Sequence, residues 1–493
     1  MIIQPDKPKC NCGIFGIFGS EHASLQTYYG LHALQHRGQE ASGIVSKNTN
    51  SKGNSVFNIH KGVGLVTEVF ADQSLFHSLL PGKAAIGHNR YSTTGASKSR
   101  KNIQPFVVNY RLGNLAVAHN GNLTNAKQLR EELVNEGAIF QTTSDTEVIL
   151  HLIARSKLDN QIDQIKEALS RIEGAFSLVI LTDDKLIAAR DNYGFRPLSL
   201  GKLNQAYVIA SETCSFDLIT ATFVREVEPG EIVVINNKTL ISGIPESYRI
   251  NNLEYPPKHC IFEYIYFSRP DSFIFGHNVD KMRRRLGKVL ARKHPVKDRD
   301  GEKVIVISVP DSSNTMALGY QTELEKLDIN SKLEIGLIRN HYIGRTFIIP
   351  GQEEREMGVR IKFNTVKGVL GGRTIVLIDD SIVRGTTSKQ LISLIREAKP
   401  KEIHLRISSP PITHPCYYGM DFPSKEELIA NRFNVDINSI KNYLEVDSLE
   451  YLTIDELLEA VAEANSDNFC TACFSGNYPS AVDLNLTKEM YEI

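Results

Sequence analysis

Residues 374–388 read TIVLIDDSIVRGTTS, and this stretch decides the fold of the second half of the chain. Its first five residues form a mostly apolar run of the length of a buried strand. Two aspartates follow at once, and Gly385 then permits a tight turn before a helix that opens at residues 386–388. A buried strand that runs directly into a helix is the repeating unit of parallel sheets, so a parallel sheet is predicted here.

The same alternation of strand and helix surrounds this stretch. An apolar strand is predicted at 304–309 and a helix at 315–327. Before about residue 244 short β-rich runs dominate instead, for example 176–181 and 207–210. Three prolines fall among polar residues between 244 and 259, where the pattern resets. This region is therefore the best candidate for a domain boundary, and a parallel sheet flanked by helices is expected after it.

The residues after the strand at 374–378 have the chemistry of a sugar-phosphate site. Ligands of open α/β sheets bind beyond the carboxyl ends of the strands. Asp379 and Asp380 can there accept hydrogen bonds from vicinal ribose hydroxyls and lie near a hydrated Mg²⁺. The backbone N–H groups of the following helix would meet a phosphate. Taken alone, the two acids are also compatible with a capped helix and exposed carboxylates.

The whole run resembles the signature of phosphoribosyltransferases, which bind phosphoribosyl pyrophosphate. The turn VPDSS at 309–313 can supply amides and the hydroxyl of Ser312 to the pyrophosphate–Mg²⁺ end, although such a turn alone means little. A basic segment at 339–362 matches a family loop that closes over the activated sugar. The resemblance implies substrate contacts from Arg339, Arg345, Asp379, Asp380, Arg384, Gly385, Thr386, Thr387 and Ser388, and Mg²⁺ near Ser312, Asp379 and Asp380.

The first half is marked by Cys12, which is followed by Gly-Ile-Phe-Gly and preceded by only eleven residues. If the residues before it are removed, its α-amine becomes a base next to the thiol. The α-amine titrates at about pH 8 and a free thiol at about pH 8.5, so the two groups can share a proton. The run after it is expected to form a short strand whose glycines leave room beside the sulfur. Most cysteines are inert core residues, so this motif alone is weak.

Three downstream clusters contain the residue types that hold glutamine beside a thiol. They lie at 90–93, 119–123 and 144–147. An arginine can bind the α-carboxylate, and an aspartate can receive the α-ammonium. An Asn-Gly pair can direct an amide and a backbone N–H at an oxyanion. Each cluster also has an ordinary structural interpretation, a hairpin turn for Asn120-Gly121 and a helix start for 144–147.

In this order the clusters resemble those of the N-terminal-cysteine glutamine amidotransferases, over about residues 12–240. The resemblance includes LQHRGQ at 34–39. It implies that Cys12 is the nucleophile and that Asn120 and Gly121 form the oxyanion hole. It also implies a glutamine site that contains Arg37, Arg90, Tyr91, Thr93 and Asp145.

Over residues 12–480 the chain resembles the amidophosphoribosyltransferases, with family-specific runs EYIYFSRPDS at 263–272 and SSPP at 408–411. The fold implied is a four-layer αββα N-terminal-nucleophile hydrolase domain followed by a type I phosphoribosyltransferase domain with a parallel sheet. The expected boundaries are a leader at 1–11, whose removal would free Cys12, then domains at 12–245 and 260–440 and a C-terminal segment at 441–493.

The activity that this resemblance implies begins with glutamine hydrolysis at Cys12. Ammonia then passes inside the protein to the second site and displaces pyrophosphate from phosphoribosyl pyrophosphate. The product is 5-phosphoribosylamine, in the first committed step of purine synthesis. The family is usually a homotetramer and is inhibited by purine nucleotides.

Seven cysteines in a chain without an export signal argue against a disulfide framework. Cys470 and Cys473 have metal-ligand spacing, which is compatible with zinc or with redox chemistry. The preceding segment is predicted to be a helix with a capping box at Thr453 and Glu456, which would dock the cysteine pair onto the domain.

The motifs around Cys260 and Cys416 match the iron–sulfur branch of the family. The resemblance therefore implies a [4Fe–4S] cluster bound by Cys260, Cys416, Cys470 and Cys473. Cys214 matches no ligand position and is expected in the core. The leader departs from the family pattern, because Lys9-Cys10-Asn11 stands where acidic residues are common. Whether it is removed stays open.

The bulk properties exclude several classes of partner. The formal net charge is -1, so no global field attracts nucleic acid or an anionic membrane. The first residues lack the apolar stretch of a signal peptide, and no apolar run approaches a membrane span. A cytoplasmic protein is expected.

Two other functions would account for parts of this pattern. A phosphoribosyl pyrophosphate sensor would need no intact glutamine pocket and would usually carry a basic DNA-binding region. A glutaminase with another acceptor, as in glucosamine-phosphate or asparagine synthesis, would carry a sugar-isomerase or ATP-binding half. The run at 379–388 argues against this second alternative.

Overall fold

A computed structural model describes residues 12–91, 100–298, 301–340 and 360–482. The predicted leader at 1–11, Thr93, Arg345 and most of the basic segment lie outside the described residues. Within those ranges, no helix combines the length and the apolar character that a membrane crossing needs.

The first half consists of strands β1–β13 and helices α1–α8. The strands are β1 (Gly13–Phe18), β2 (Ala41–Thr49), β3 (Ser55–Val63), β4 (Ala84–Arg90), β5 (Phe106–Tyr110), β6 (Gly113–Leu123), β7 (Gly174–Thr182), β8 (Lys185–Arg190), β9 (Ser199–Leu203), β10 (Ala206–Ala210), β11 (Thr222–Glu226), β12 (Glu231–Asn236) and β13 (Glu246–Arg249). The helices are α1 (Ala23–Ala33), α2 (Val66–Val69), α3 (Leu75–Ser78), α4 (Ala126–Asn135), α5 (Thr146–Arg155), α6 (Gln161–Arg171), α7 (Cys214–Leu218) and α8 (Asn237–Ser242). A 3-10 turn lies at Arg100–Asn102.

These strands form two antiparallel sheets. One has seven strands in the order β11-β9-β10-β1-β4-β2-β3, and the other has six in the order β13-β12-β8-β7-β6-β5. The sheets pack face to face through a shared apolar cluster that includes Ile14, Ile86 and Val179. Helix α1 covers the outer face of the first sheet, and α4–α6 cover that of the second. The predicted αββα architecture is confirmed.

The glycines after Cys12 allow close packing around β1. A Cβ at Gly16 would lie 2.6 Å from Val179 Cγ1 of the opposite sheet. A Cβ at Gly13 would lie 3.1 Å from Leu34 Cβ. Every residue of β1 is buried, because one face meets the second sheet and the other meets α1.

The second half consists of strands β14–β24 and helices α9–α16. The strands are β14 (His259–Cys260), β15 (Phe273–Ile274), β16 (His277–Asn278), β17 (Val304–Ser308), β18 (Ser331–Leu333), β19 (Leu337–Arg339), β20 (Phe363–Thr365), β21 (Thr374–Asp379), β22 (Glu402–Ile407), β23 (Ser448–Tyr451) and β24 (Phe469–Cys470). The helices are α9 (Val279–Lys293), α10 (Asn314–Lys326), α11 (Lys367–Leu370), α12 (Thr386–Arg396), α13 (Ile429–Arg432), α14 (Ile437–Leu444), α15 (Ile454–Ala460) and α16 (Ala472–Ser475). Short turns of other helix types are a π-helix at Glu263–Phe267 and 3-10 turns at Lys425–Glu427, Ala462–Ala464 and Ser466–Asn468.

The predicted parallel sheet is present, with the strand order β18-β17-β21-β22-β23 and parallel pairing throughout. Helices α9 and α10 cover one face, and α12 and α14 cover the other. Strand β23 belongs to this sheet, although the boundary expected at 440 placed it in the following segment. The helix predicted before the cysteine pair begins as expected, since Thr453 and Glu456 form a reciprocal capping box at α15, and it ends at Ala460.

Candidate active site

Strand pairing brings Cys12 to the first candidate centre. Gly13 of β1 lies opposite Asn89 of β4, so Cys12 lies beside Arg90 and Tyr91 at the end of β4. The thiol is buried and donates to the Tyr91 carbonyl oxygen at 3.4 Å. Two residues that the sequence predicted in the glutamine site therefore flank the predicted nucleophile.

The surroundings of Cys12 disfavour its thiolate. Burial raises the pKa of the thiol to about 11, and the Tyr91 hydrogen bond and the Arg90 charge offset this only in part. The carboxylates of Glu40 and Asp145 raise the pKa further. A nucleophile in this environment is protonated at neutral pH, so it needs a base at the moment of attack.

Asn120 is the most unusual side chain of this centre. It is fully buried, and neither its Oδ1 nor its Nδ2 has a hydrogen-bond partner among the described residues. A buried amide without a partner costs stability, and such groups are rare in native proteins. The amide therefore indicates a ligand that supplies the missing partner. An oxyanion would accept from Nδ2, as the sequence predicted.

Asn120 and Gly121 lie within β6, so the alternative interpretation as a hairpin turn is wrong. Gly121 has a φ of +151°, a conformation that side chains with a Cβ rarely adopt. A Cβ at this position would also lie 2.0 Å from the Ala175 carbonyl oxygen. The strand can therefore pass this close to β7 only with glycine at 121.

Asp145 is fixed at the side of the same strand. Its Oδ2 accepts from the Leu123 N–H at 3.0 Å, at the end of β6. Its Oδ1 lies 3.3 Å from Thr146 Oγ1 and 3.4 Å from Ser144 Oγ. Helix α5 begins at the next residue, so the predicted helix start and a substrate anchor coexist here.

Arg37 does not lie in an open pocket, which corrects its predicted contact with glutamine. Its guanidinium is fully buried, 2.5 Å from a Glu212 oxygen and 2.8 Å from a Glu263 oxygen. Its Nε donates to the Cys12 carbonyl oxygen at 3.4 Å. Arg37 therefore supports the backbone of Cys12 and connects it to the π-helix of the second half.

This buried charge cluster was missed by sequence reasoning. Arg196 completes it, with Nη1 3.3 Å from Glu263 and Nη2 donating to the Tyr418 carbonyl at 2.6 Å. The Glu212 carboxylate also accepts from the Ser272 hydroxyl at 2.7 Å. No local pattern marks these residues, because the partners lie far apart along the chain.

The second candidate centre lies at the carboxyl ends of β17 and β21. Asp379 and Asp380 are both buried, and the hydroxyl of Ser313 donates to Asp379 Oδ1 at 3.2 Å. Ser381 donates to Asp380 Oδ2 at 2.7 Å. Ser312, which the sequence predicted near Mg²⁺, lies next to this contact, with its hydroxyl 3.3 Å from that of Ser313.

The start of α12 completes this centre. Gly385 has a φ of +78°, and a Cβ there would lie 2.3 Å from Ile429 Cδ1, so glycine is required. Thr386 is exposed at the first position of the helix, which carries no side-chain cap. An uncapped helix N-terminus is suited to a phosphate. Thr387 and Ser388 follow it in the first turn and are half-buried.

Two predicted arginines lie at the rim of this centre in ion pairs. Arg339 Nη1 is 3.1 Å from Asp311, and Arg384 Nη2 is 3.1 Å from Glu427. Both Arg339 and its partner are about half exposed. Exposed pairs of this kind contribute little to stability, so an anionic substrate can replace the carboxylate at low cost.

The four predicted cluster cysteines surround one small cavity. Cys260, Cys416, Cys470 and Cys473 line it together with apolar side chains that include Phe262 and Met420, and its volume is about 20 Å³. Parallel pairing of β14 with β24 sets Cys260 opposite Cys470. Burial raises the pKa of Cys260 to about 11 and the pKa values of Cys470 and Cys473 further.

The described cysteines are all free, and Cys214 lies in the core as expected. Across the described ranges, no three His, Cys, Asp or Glu side chains converge to hold a single metal ion. The four thiols thus line one shared apolar space, and sulfur donors of this kind are ligands for zinc and for iron–sulfur clusters.

Known proteins are similar to this chain across both of its halves. The profile of the glutamine amidotransferase domain matches residues 88–217. The amidophosphoribosyltransferase of Bacillus subtilis (strain 168) is 48% identical over 475 residues, which cover 96% of this chain and 94% of that protein. The chloroplastic amidophosphoribosyltransferase of Vigna aconitifolia is 49% identical over 487 residues, covering 98% of this chain and 95% of that protein.

Two solved structures are similar over almost the full length. Glutamine phosphoribosylpyrophosphate amidotransferase from B. subtilis, complexed with ADP and GMP, has a TM-score of 0.86 and 46% identity, and the match covers 97% of this chain and 99% of that one. A structure described as the allosteric regulatory enzyme of purine biosynthesis has a TM-score of 0.87 and 46% identity, covering 96% and 97% of the two chains. The chain belongs to the amidophosphoribosyltransferase family.

Proposed function

We propose that this protein converts phosphoribosyl pyrophosphate, glutamine and water to 5-phosphoribosylamine, glutamate and pyrophosphate, the first step of purine synthesis. The single observation that carries the glutaminase half is the fully buried Asn120 amide without a partner, on the strand beside Cys12. Substrate glutamine would supply what that amide lacks, an oxygen that becomes anionic during the reaction.

The chemistry at Cys12 is an acyl transfer in two steps. The thiol loses its proton to a base, and the sulfur attacks the amide carbon of glutamine. The resulting oxyanion accepts from Asn120 Nδ2 and from the Gly121 N–H, and ammonia leaves with a proton from the base. Water then cleaves the glutamyl thioester to glutamate and the free thiol. Arg90 binds the α-carboxylate and Asp145 the α-ammonium, and Tyr91 and Thr93 also bind glutamine in this proposal.

The α-amine of Cys12 is the base in this proposal, so the active protein begins at Cys12 after removal of residues 1–11. The raised pKa of the thiol supports a nearby proton acceptor, because burial prevents spontaneous ionisation. Intact-mass analysis tests this step. Full glutaminase activity in a chain that still begins at Met1 would contradict it.

Ammonia passes within the protein to the second centre and displaces pyrophosphate from C1 of the sugar. We expect the path to begin between Cys12 and the π-helix at Glu263–Phe267, because Arg37 connects these two segments. Asp379 and Asp380 bind the ribose hydroxyls, and residues 385–388 bind the 5-phosphate. Arg339, Arg345 and Arg384 neutralise charge. Ammonia is a good nucleophile and pyrophosphate a good leaving group, so the site acts by positioning.

Two cofactors belong to the proposal. Mg²⁺ would lie near Ser312, Asp379 and Asp380 and neutralise pyrophosphate as it leaves. A [4Fe–4S] cluster would be held by Cys260, Cys416, Cys470 and Cys473 and would be structural. The arrangement of four thiols around one apolar cavity supports a group bound through sulfur, and the family resemblance favours the cluster over zinc.

We also propose a first domain at 12–245 and a second that begins at 260 and extends through β23, followed by the C-terminal segment. A cytoplasmic location, a homotetrameric assembly and inhibition by purine nucleotides complete the proposed function. The solved relative from B. subtilis, complexed with ADP and GMP, supports nucleotide inhibitors.

The deciding experiment separates the two half-reactions. Cys12→Ala should lose glutamine-dependent synthesis and retain synthesis with ammonium at alkaline pH. Asp379→Ala and Asp380→Ala should lose both. Cys214→Ala is the matched control, since it also removes a buried thiol but lies in the core outside both centres. Retention of glutamine-dependent synthesis in folded Cys12→Ala protein would contradict the proposed function.

A further inference from the structure

Gln104 connects the strand of the oxyanion residue to the helix of the ammonium anchor. Its side chain is buried, and its Oε1 accepts from the His119 backbone N–H at 2.8 Å. Its Nε2 donates to Thr146 Oγ1 at 3.0 Å. His119 directly precedes Asn120 on β6, and Thr146 directly follows Asp145 as the first residue of α5. One side-chain amide therefore spans the two ends of the glutamine site.

The backbone of β6 at His119 needs this contact because the neighbouring strand β5 does not extend that far. Strand β5 begins at Phe106, which lies opposite Val117, so the ladder between β5 and β6 does not reach residue 119. The Gln104 amide stands in for a ladder partner at that point. It satisfies a buried backbone N–H that would otherwise lack an acceptor.

The imidazole of His119 extends the connection. Its Nε2 lies 3.4 Å from the Ala175 carbonyl, which can only accept, so Nε2 carries a proton. Burial lowers the pKa of His119, so the ring is neutral and its Nδ1 accepts from the Thr146 hydroxyl at 3.0 Å. That hydroxyl has one proton. Because it is given to His119, it is not given to Asp145 Oδ1, which accepts from the Ser144 hydroxyl at 3.4 Å and keeps acceptor capacity for an ammonium group.

We propose that Gln104, His119 and Thr146 are positioning residues that fix the separation between Asn120 and Asp145. This inference rests on the proposed function, in which glutamine is held at both ends. The number of bonds between the α-amine and the side-chain amide of glutamine is fixed. A shift of β6 against α5 would therefore take the scissile carbon away from the Cys12 sulfur, and near-attack geometry tolerates little displacement.

The test uses Gln104→Leu and Thr146→Val, with Thr146→Ser as the conservative control that keeps the hydroxyl. Loss of a buried hydrogen bond of this kind should lower kcat/KM for glutamine about 10- to 100-fold in the first two variants. Thr146→Ser should stay within about threefold of the wild type. Synthesis with ammonium should be unchanged within about twofold in all three, because the second centre is intact.

Alkylation of Cys12 gives a readout that a loss of folding would not produce. The glutamine analogue 6-diazo-5-oxonorleucine needs both anchors, and its reaction with Gln104→Leu should slow by the same factor as glutamine hydrolysis. Iodoacetamide needs neither anchor, and its rate should not change. Mass spectrometry of the Cys12 peptide measures both rates.

Unchanged kcat/KM for glutamine in Gln104→Leu and Thr146→Val would overturn the inference. An equal loss of ammonium-dependent synthesis or of iodoacetamide labelling would also overturn it, because the residues would then be merely structural. A wild-type protein that hydrolyses no glutamine would overturn the proposed function as well, whereas the first two results leave that function standing.

Discussion

Asn120→Leu should raise the stability of the protein while it removes glutaminase activity. Leucine has nearly the shape of asparagine but carries no polar atom. In the structure both amide atoms of Asn120 are fully buried without partners. Each unsatisfied buried group costs about 1–3 kcal/mol, so the substitution should recover at least about 1–3 kcal/mol. For a unit of about 240 residues, that corresponds to about 2–4 °C in Tm for each kcal/mol.

Activity should change in the opposite direction. Removal of one oxyanion-hole donor typically lowers kcat by about 10²- to 10³-fold. Differential scanning calorimetry and glutamine hydrolysis, measured on the same preparation, give the two quantities. Ammonium-dependent synthesis should remain, since Asn120 contacts nothing in the second centre.

Asn122→Leu is the matched control, two residues further along β6. Its Nδ2 donates to the Tyr417 carbonyl oxygen at 2.9 Å, so the same substitution there breaks a hydrogen bond and should lower Tm. The reasoning is refuted if Asn120→Leu lowers Tm as Asn122→Leu does, or if it retains full glutaminase activity.

Three further predictions follow from buried groups. Arg37→Met removes the cation that Glu212 and Glu263 share and should lower the free energy of unfolding by about 3–5 kcal/mol. A thermal melt should show a lower Tm, and an unchanged Tm would contradict the bridging role. Burial lowers the pKa of His88 from 6.5 to about 3, so between these pH values the unfolded chain binds a proton that the folded chain does not. The free energy of unfolding should therefore fall as the pH falls from 6.5 towards 3. His88→Asn should make the dependence of Tm on pH shallower over that window. Anaerobically purified protein should be brown, with about four iron and four sulfide per chain, and Cys416→Ser should lose both the colour and protease resistance; stoichiometric zinc without iron would show the cluster assignment to be wrong.

Local sequence determined the elements that carry the chemistry. The strand at Thr374–Asp379, the turn at Gly385 and the helix from Thr386 were predictable, because strand length, a glycine turn and a helix start depend on neighbouring residues. The order of the motifs after Cys12 likewise indicated the family and its αββα fold. These signals are short-range, and a single chain displays them directly.

Tertiary packing decided what each side chain meets. Arg37 stands within a glutamine-amidotransferase motif, yet its partners Glu212 and Glu263 lie 175 and 226 residues away. Ser313 reaches Asp379 because of how the turn after β17 meets β21. The Gln104 side chain accepts from the His119 N–H because the pairing of β5 with β6 ends at Val117. Burial makes such long-range polar contacts compulsory, but only the completed packing of sheets and helices determines which residues must satisfy them.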